Sequence, residues 1–296
     1  MTSLRQLRFL VTLADALNFS RAAEACHVTQ PTLSAGLKEL EDALGVSLVE
    51  RTRRSVILTP IGTTIAERAR SVLAEVHDIE QLAARSTGPL HGDLRLGAIP
   101  TIGPFLLPKA LRLLRKRYPH LKLYLREEPT EQLLDGLVAG RLDVILMALP
   151  FEIGKASTEL LFEDGYQLAT PRGHPLSKQK KVTGADLAGS PLLLLDKGHC
   201  LQQHALSAFP DVDIPQDRAF AATSLMTLMA MVEEGLGITL LPQIAIDAGI
   251  TSGHAIALTP LKGASPRRVI LAWRQTSAHG EDFKSLAKIF RSARHG

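Results

Sequence analysis

The chain has 296 residues, of which 45% are hydrophobic and 22% are charged, and its formal net charge is +4. This composition is typical of a globular protein and excludes a disordered chain. It contains no run of about eighteen apolar residues and no apolar signal-peptide segment after Met1, so we expect a cytoplasmic protein without membrane contact. Two cysteines without a C-x-x-C pair exclude a disulfide framework and argue against a zinc site, and we expect no metal and no cofactor.

Residues 1–59 predict a winged helix-turn-helix domain. Apolar residues at helical spacing indicate a first helix, and Ser20 is a candidate N-cap for a second helix over residues 21–26. A third helix is expected from Pro31 to Leu44, where Gly45 ends it. Residues 47–59 place apolar segments on both sides of a charged turn, which is the pattern of a two-stranded wing.

A long linker helix is predicted over residues 60–88. Its apolar residues are separated by alternating gaps of four and three, which is the heptad seam of a helix that pairs with a second copy. The alternative is an amphipathic helix that packs on its own domain. The seam consists of Ile65, Ala69, Val72, Val76, Ile79 and Ala83.

From Gly92 onward, predicted strands alternate with predicted helices. Alternating or continuous apolar segments indicate strands near residues 94–98, 121–125, 143–149, 192–195, 238–241 and 269–273. Helical segments lie between several of them, which favours an α/β domain over residues 89–296. A segment of this length suits either one large domain or two lobes.

The N-terminal segment closely resembles the LysR-type transcriptional regulators. The residues that carry this resemblance are Phe19-Ser20-Arg21-Ala22-Ala23, Val28-Thr29-Gln30-Pro31-Thr32-Leu33-Ser34, Leu44-Gly45 and Leu58-Thr59. The resemblance implies a multidomain protein: an all-α winged helix-turn-helix domain, a linker helix and a two-lobed, periplasmic-binding-protein-like α/β regulatory domain. On this basis we expect residues 91–163 and 268–296 to form the first lobe and residues 164–267 the second. It also implies a homo-oligomer, a tetramer built as a dimer of dimers, that binds double-stranded DNA at a pseudo-palindromic operator. RNA polymerase is a candidate further partner.

Residues on the third predicted helix, which is the second helix of the helix-turn-helix motif, are the main candidate DNA contacts. Their hydroxyl, amide and ammonium groups suit base edges and phosphates, and two wing arginines suit the flanking backbone. The set is Gln30, Pro31, Thr32, Ser34, Lys38, Arg53 and Arg54. Gly36 stands where the family usually has a long polar residue, so we expect one contact fewer on this helix.

Cys200 is the candidate reactive group of the regulatory domain. It follows an apolar strand at the predicted start of a helix, where unpaired backbone N–H groups favour thiolate, the form that peroxide oxidises. On this residue alone, a small buried cysteine is the alternative. The surrounding segments Pro100–Pro108, Glu128–Leu134, Gly198–Leu201 and Ala222–Pro242 resemble the OxyR group of peroxide-sensing LysR regulators.

That resemblance implies a pocket around the reactive cysteine. Thr101, Thr130 and His199 match its lining residues, and an arginine at 267 or 268 approaches the sulfur, of which we predict Arg268. Phe209 occupies the position of the resolving cysteine, so an internal disulfide in this domain is excluded. Oxidation therefore has to end in sulfenic acid, a mixed disulfide or an intermolecular bond.

Two other functions are compatible with the sequence. A LysR-type regulator could instead bind a small metabolite between its lobes, with Cys200 incidental. A cysteine enzyme with His199 as the base is disfavoured, because adjacent residues rarely form such a pair and no orienting acid is evident. We therefore expect a regulator and not an enzyme.

Overall fold

The computed structural model describes most of the chain in two units. The described residues are 1–51, 56–84, 90–187, 192–196, 200–210, 212 and 216–295. One unit comprises Met1–Ser86 with Val138–Arg141, and the other comprises Thr87–Leu137 with Leu142–Gly296. Among the described residues no helix is long and apolar enough to cross a membrane.

The first unit is a helical domain with a small two-stranded sheet and a long final helix. Its elements are α1 (Leu4–Ala16), α2 (Phe19–Ala25), α3 (Gln30–Leu44), β1 (Val49–Arg51), β2 (Val56–Leu58) and α4 (Pro60–Ala84). The strands pair antiparallel, with Val49 opposite Leu58. Buried Leu10, Leu33 and Leu40 lie in the core of the helices, as the helical spacing predicts.

Short polar side chains set the helix boundaries in this unit. Asn18, rather than Ser20, is the N-cap of α2, and its side chain accepts a hydrogen bond from the Arg21 amide, so that helix begins two residues earlier than expected. Thr29 caps α3, which ends at Gly45 with a left-handed φ of 69°. The predicted C-terminal stop is confirmed.

Two glycines allow close packing in this unit. A Cβ on Gly36 would lie 2.8 Å from the Phe9 ring, so this position faces the core. The expectation that Gly36 replaces a DNA contact is therefore wrong. At Gly62 a Cβ would lie 2.0 Å from the Leu48 carbonyl oxygen, so only glycine lets α4 approach that backbone.

The first lobe of the second unit is a five-stranded mixed sheet with helices. Its strands are β3 (Gly92–Ala98), β4 (Leu121–Glu127), β5 (Val144–Leu149), β6 (Ala156–Asp164) and β12 (Arg267–Arg274), in the order β4-β3-β5-β12-β6. Its helices are α5 (Gly103–Arg117), α6 (Thr130–Val138) and α11 (Gly280–His295). Strand β3 pairs parallel with β4 and β5, whereas β12 runs antiparallel to β5 and β6.

The second lobe has two small sheets around a separate core. Its strands are β7 (Tyr166–Pro171), β8 (Leu192–Leu195), β9 (Gln216–Ala222), β10 (Thr239–Pro242) and β11 (Ile256–Pro260). Its helices are α7 (Gly184–Leu187), α8 (Cys200–Ser207), α9 (Leu225–Glu233) and α10 (Gln243–Asp247). Strand order is β10-β7-β11 in one sheet, and β8 pairs parallel with β9 in the other.

These strand directions bring distant segments to one edge of the first lobe. The segments that follow parallel β3 and β4 leave from the same edge, and they place Thr101 in a loop and Thr130 at the first position of α6. Antiparallel β12 starts at that edge with Arg267, opposite Asp164 at the end of β6. The α/β architecture expected from alternating strands and helices is confirmed, and its topology gathers polar residues where the lobes meet.

Candidate functional site

Cys200 is the first residue of α8 and is buried, with 4% of its surface exposed. Burial raises the pKa of its thiol, because a charge is poorly solvated there. The Thr130 hydroxyl and the Arg267 guanidinium act in the opposite direction and lower that pKa. The sulfur therefore lies in an apolar shell, with one hydroxyl and one cation favouring its thiolate.

Arg267 is fully buried and held in place by two partners. Its Nε and Nη2 donate to one carboxylate oxygen of Asp164 at 3.0 and 2.9 Å. Its Nη1 donates to the Thr101 hydroxyl at 2.9 Å, and Nη2 also donates to the Thr101 carbonyl at 3.0 Å. The cation is thereby fixed in orientation rather than free to follow a ligand.

The structure corrects the predicted pocket arginine. Arg268 was predicted to approach the sulfur, but its side chain is exposed, whereas Arg267 is buried. Successive residues of a strand point to opposite faces, and Arg267 is the residue of the pair that faces Asp164 and Thr101. Because β12 begins at Arg267, this residue belongs to the sheet of the first lobe, whereas the sequence placed it at the end of the second lobe.

Asp164 ties this cation to a third segment. Its second carboxylate oxygen accepts a hydrogen bond from the Ile244 amide at the start of α10, at 2.8 Å. Both oxygens of a fully buried carboxylate are thus satisfied. Thr101, Asp164, Ile244 and Arg267 form one polar network across the strand edge beside Cys200.

Two further side chains of the site were not predicted. Tyr166 begins β7 two residues after Asp164, and its hydroxyl is buried without a partner among the described residues. Burial is the main reason that the pKa of its phenol is raised, while the charge of Arg267 lowers it and those of Asp164 and Cys200 raise it. Nothing in the sequence marks Tyr166, because its role depends on a turn between two sheets.

His204 lies one turn after Cys200 on α8 and is also buried. Its Nε2 lies 3.0 Å from the Pro150 carbonyl oxygen, so that nitrogen carries the proton. Burial and then the charge of Arg267 lower the pKa of His204 to about 4, although the Pro150 carbonyl opposes this. The four-residue spacing from Cys200 is a helical signal that could have identified His204.

The remaining predicted residues of the pocket have different outcomes. His199 lies outside the described residues. Phe209, at the position of the resolving cysteine, is buried in the core of the second lobe. Cys26, the other cysteine, is half-buried against the core of the first unit, and both thiols are free.

The candidate DNA face occupies the start of α3. Gln30, Pro31, Thr32 and Lys38 are exposed, and Ser34 is half-buried. The Gln30 side chain accepts a hydrogen bond from the Ser20 hydroxyl at 3.0 Å, which orients it at the helix start. Arg53 and Arg54 lie outside the described residues.

The seam of α4 divides into two parts. Ile65 is half-buried and packs on the core of the first unit, and Ala69 is buried. Further along, Val76 is half-buried, while Val72 and Ile79 are 44% and 65% exposed. The first half of the helix therefore packs on its own domain, and the second half presents an exposed apolar stripe, whose pairing with a second copy stays a prediction.

Comparison with known protein families matches both units. Residues 4–63 match the bacterial regulatory helix-turn-helix protein family of LysR type, and residues 87–294 match the LysR substrate binding domain. These two segments cover the DNA face and the Cys200 pocket respectively.

Several characterised relatives match over nearly their whole length. The chain is 39% identical to the "DNA-binding transcriptional dual regulator OxyR" of Escherichia coli K12, over 99% of this chain and 96% of the relative. It is 41% identical to a "probable hydrogen peroxide-inducible genes activator" of Streptomyces viridosporus, over 98% and 94%. A regulator named EstR from Acinetobacter baylyi is 39% identical, over 98% and 97%.

Solved structures of OxyR proteins are also similar to this chain. A full-length OxyR variant from Pseudomonas aeruginosa superposes with a TM-score of 0.81 at 37% identity, covering 98% of this chain and 95% of that one. A hydrogen-peroxide-bound OxyR mutant from Corynebacterium glutamicum superposes with a TM-score of 0.68 at 34% identity, covering 100% and 93%.

Proposed function

Because the chain belongs to the LysR family of bacterial transcriptional regulators, we propose that it is a DNA-binding regulator of OxyR type that senses hydrogen peroxide through Cys200. The observation that carries this proposal is the placement of the Cys200 sulfur beside the Thr130 hydroxyl and the fixed Arg267 guanidinium. Peroxide-responsive relatives with 39–41% identity support the same function.

The chemistry is a two-electron oxidation of sulfur. The Cys200 thiolate attacks one peroxide oxygen, the O–O bond breaks, and hydroxide leaves with the bonding pair and takes up a proton to become water. Sulfur gains one oxygen as sulfenic acid, and peroxide is reduced. Thr101 and Thr130 would position the peroxide, and Arg267 would stabilise the thiolate and the leaving oxygen.

A single cysteine gives this sensor a distinct end state. Phe209 replaces the resolving cysteine, so the sulfenic acid persists or forms a mixed disulfide with a small thiol. Either product enlarges a buried side chain between two cores, which biases the regulatory domain toward a second arrangement. The reaction is stoichiometric, so the protein acts as a sensor and not as an enzyme.

The proposed assembly is a cytoplasmic homotetramer on DNA. The exposed stripe on α4 pairs two chains, so that two copies of α3 face successive major grooves of a pseudo-palindromic operator. The exposed Gln30, Thr32 and Lys38, with Arg53 and Arg54, would contact the DNA. The oxidised form would then alter contact with RNA polymerase.

The deciding experiment is intact mass spectrometry after one equivalent of hydrogen peroxide, with and without a sulfenic-acid trap. The wild type is compared with Cys200→Ser and with Cys26→Ser as the matched control. We expect one added oxygen that the trap captures, present in Cys26→Ser and absent in Cys200→Ser. Slow or absent reaction of Cys200 would overturn peroxide sensing and favour a metabolite bound between the lobes.

A further inference from the structure

The Tyr166 hydroxyl is a buried donor for which the reduced protein offers no acceptor among the described residues. Its side chain is 7% exposed and lies in the core of the second lobe. An unpaired buried hydroxyl destabilises the folded state, so such a group in a native site calls for an explanation.

The surroundings of this hydroxyl point to the reactive sulfur. Tyr166 follows Asp164 by two residues, and the charges of Asp164, Arg267 and Cys200 all act on its phenol. Thr130, on the opposite lobe, likewise has a buried hydroxyl without a nitrogen or oxygen partner, and this hydroxyl interacts with the sulfur. Two hydroxyls from two lobes thus belong to the cluster that contains Cys200: that of Thr130 interacts with the sulfur, and that of Tyr166 has no partner among the described residues.

Among the described residues, the other donors of the cluster are already engaged, and the unpaired His204 Nδ1 carries no proton and can only accept. Asp164 accepts from Arg267 and from the Ile244 amide, and Arg267 donates to Asp164 and Thr101. The His204 Nε2 is bound to the Pro150 carbonyl. A new oxygen atom on Cys200 would therefore find the Thr130 hydroxyl, which already interacts with the sulfur, and the Tyr166 hydroxyl, which is a donor without a partner.

We propose that the Tyr166 hydroxyl donates a hydrogen bond to the oxygen atom that peroxide leaves on the Cys200 sulfur. This inference rests on the proposed peroxide reaction. The bond forms only after oxidation, when the sulfenic oxygen supplies the missing acceptor. Tyr166 thereby stabilises the sulfenic acid in a domain that has no second cysteine to consume it, and slows its further oxidation and its reaction with small thiols.

The test compares Tyr166→Phe with the wild type in the full-length protein. Phenylalanine keeps the ring and removes only the hydroxyl, and Tyr124→Phe is the control because Tyr124 is 53% exposed on β4. Each protein receives one equivalent of peroxide, and the sulfenic acid that remains is trapped at timed intervals and measured by mass. Thermal unfolding is recorded before and after oxidation.

We expect the sulfenic acid of Tyr166→Phe to disappear about tenfold faster than that of wild type, the rate effect of one hydrogen bond to a polar acceptor. Tyr124→Phe should match wild type. In the reduced state, Tyr166→Phe should be as stable as wild type or more stable, because it loses an unpaired group. Only after oxidation should wild type gain stability relative to the variant.

Two results would overturn this inference and are distinguishable from each other. A merely structural tyrosine, bonded for example to a buried water, would lower the melting temperature of the reduced variant as much as that of the oxidised one. Equal sulfenic-acid lifetimes in wild type and Tyr166→Phe would exclude the proposed bond. If wild type itself forms no sulfenic acid, the proposed peroxide sensing fails instead.

Discussion

The Arg267 guanidinium binds the Asp164 carboxylate at 2.9 Å, and neither side chain is exposed to solvent. The pair joins the start of β12 to the end of β6, and Arg267 continues to Thr101 after β3. A buried pair of this kind gives up hydration and is a poor source of stability by itself. The effect of the pair in this protein is to hold the guanidinium in one orientation near the buried thiol of Cys200.

Arg267→Lys should slow oxidation of Cys200. Lysine keeps the charge but cannot reproduce the forked contacts to Asp164 and Thr101, so its ammonium is no longer fixed near the sulfur. The pKa of Cys200 should rise, and the rate of reaction with peroxide near neutral pH should fall by about tenfold for each unit of that rise. The pH dependence of thiol alkylation measures the pKa directly.

The neighbouring residue provides the matched control for this substitution. Arg268→Lys makes the same chemical change one residue further along β12, on an exposed side chain. It should leave the alkylation profile and the peroxide rate unchanged. Equal effects of the two substitutions would remove Arg267 from the pocket.

The difference in burial between Arg267 and Arg268 also shows which part of the site the sequence does not predict. The C-terminal boundary of α3 and the strands with continuous or alternating apolar residues follow from local sequence patterns, whereas the two-lobed architecture was implied only by the resemblance to the LysR family. A site built from Thr101, Asp164 and Arg267 depends on contacts between residues more than a hundred positions apart in part of the network. A shift of one residue along a strand reverses which side chain is buried, and local patterns do not resolve that shift.

The sequence analysis did not predict strands β6, β7, β9 and β11, and β6 shows a related reason. The side chains of β6 vary irregularly between exposed, half-buried and buried, so that its sequence has no clean period of two. Asp164 and Tyr166 lie at the end of β6 and at the start of β7, so the turn that carries two pocket residues could not be placed. The N-cap of α2 was missed because Asn18 and Ser20 are both good caps.

His204 should make folding stability fall in mild acid. Its pKa in the folded protein is lowered to about 4 from an ordinary value of 6.5, so between these values the unfolded chain binds a proton that the folded chain excludes. Stability is therefore lost as the pH falls from about 6.5 to about 4, by about 3 kcal/mol from this group. Denaturant unfolding across this pH range measures the change.

The control removes the titrating group and keeps a similar volume. His204→Gln should show a shallower loss of stability with acid than wild type, with the difference confined to this pH window. His27→Gln, at an exposed position of the first unit, should follow the wild-type curve. Superimposable curves for wild type and His204→Gln would contradict a neutral buried imidazole.

Val72→Asp with Ile79→Asp should prevent pairing of the α4 helices. Among the seam residues whose burial the structure describes, these two side chains are the most exposed, and two carboxylates per chain would face those of the partner across a paired seam. Light scattering should show a smaller particle, and affinity for a two-half-site operator should fall. Glu67→Asp with Ser71→Asp, at exposed positions off the seam, should preserve both.

Arg53→Ala with Arg54→Ala should weaken binding to all DNA sequences by similar factors. Arginines on a wing contact phosphates rather than base edges, so their loss removes affinity without changing sequence preference. The dependence of log affinity on log salt should flatten by about 0.9 for each phosphate contact that is lost. Arg115→Ala with Arg117→Ala removes the same charge from exposed positions of α5 and is the control. The measurement is a binding titration on operator and random duplexes at several salt concentrations. An unchanged salt dependence of the affinity would exclude the wing from the interface. A loss of affinity confined to the operator would assign the wing arginines to base recognition.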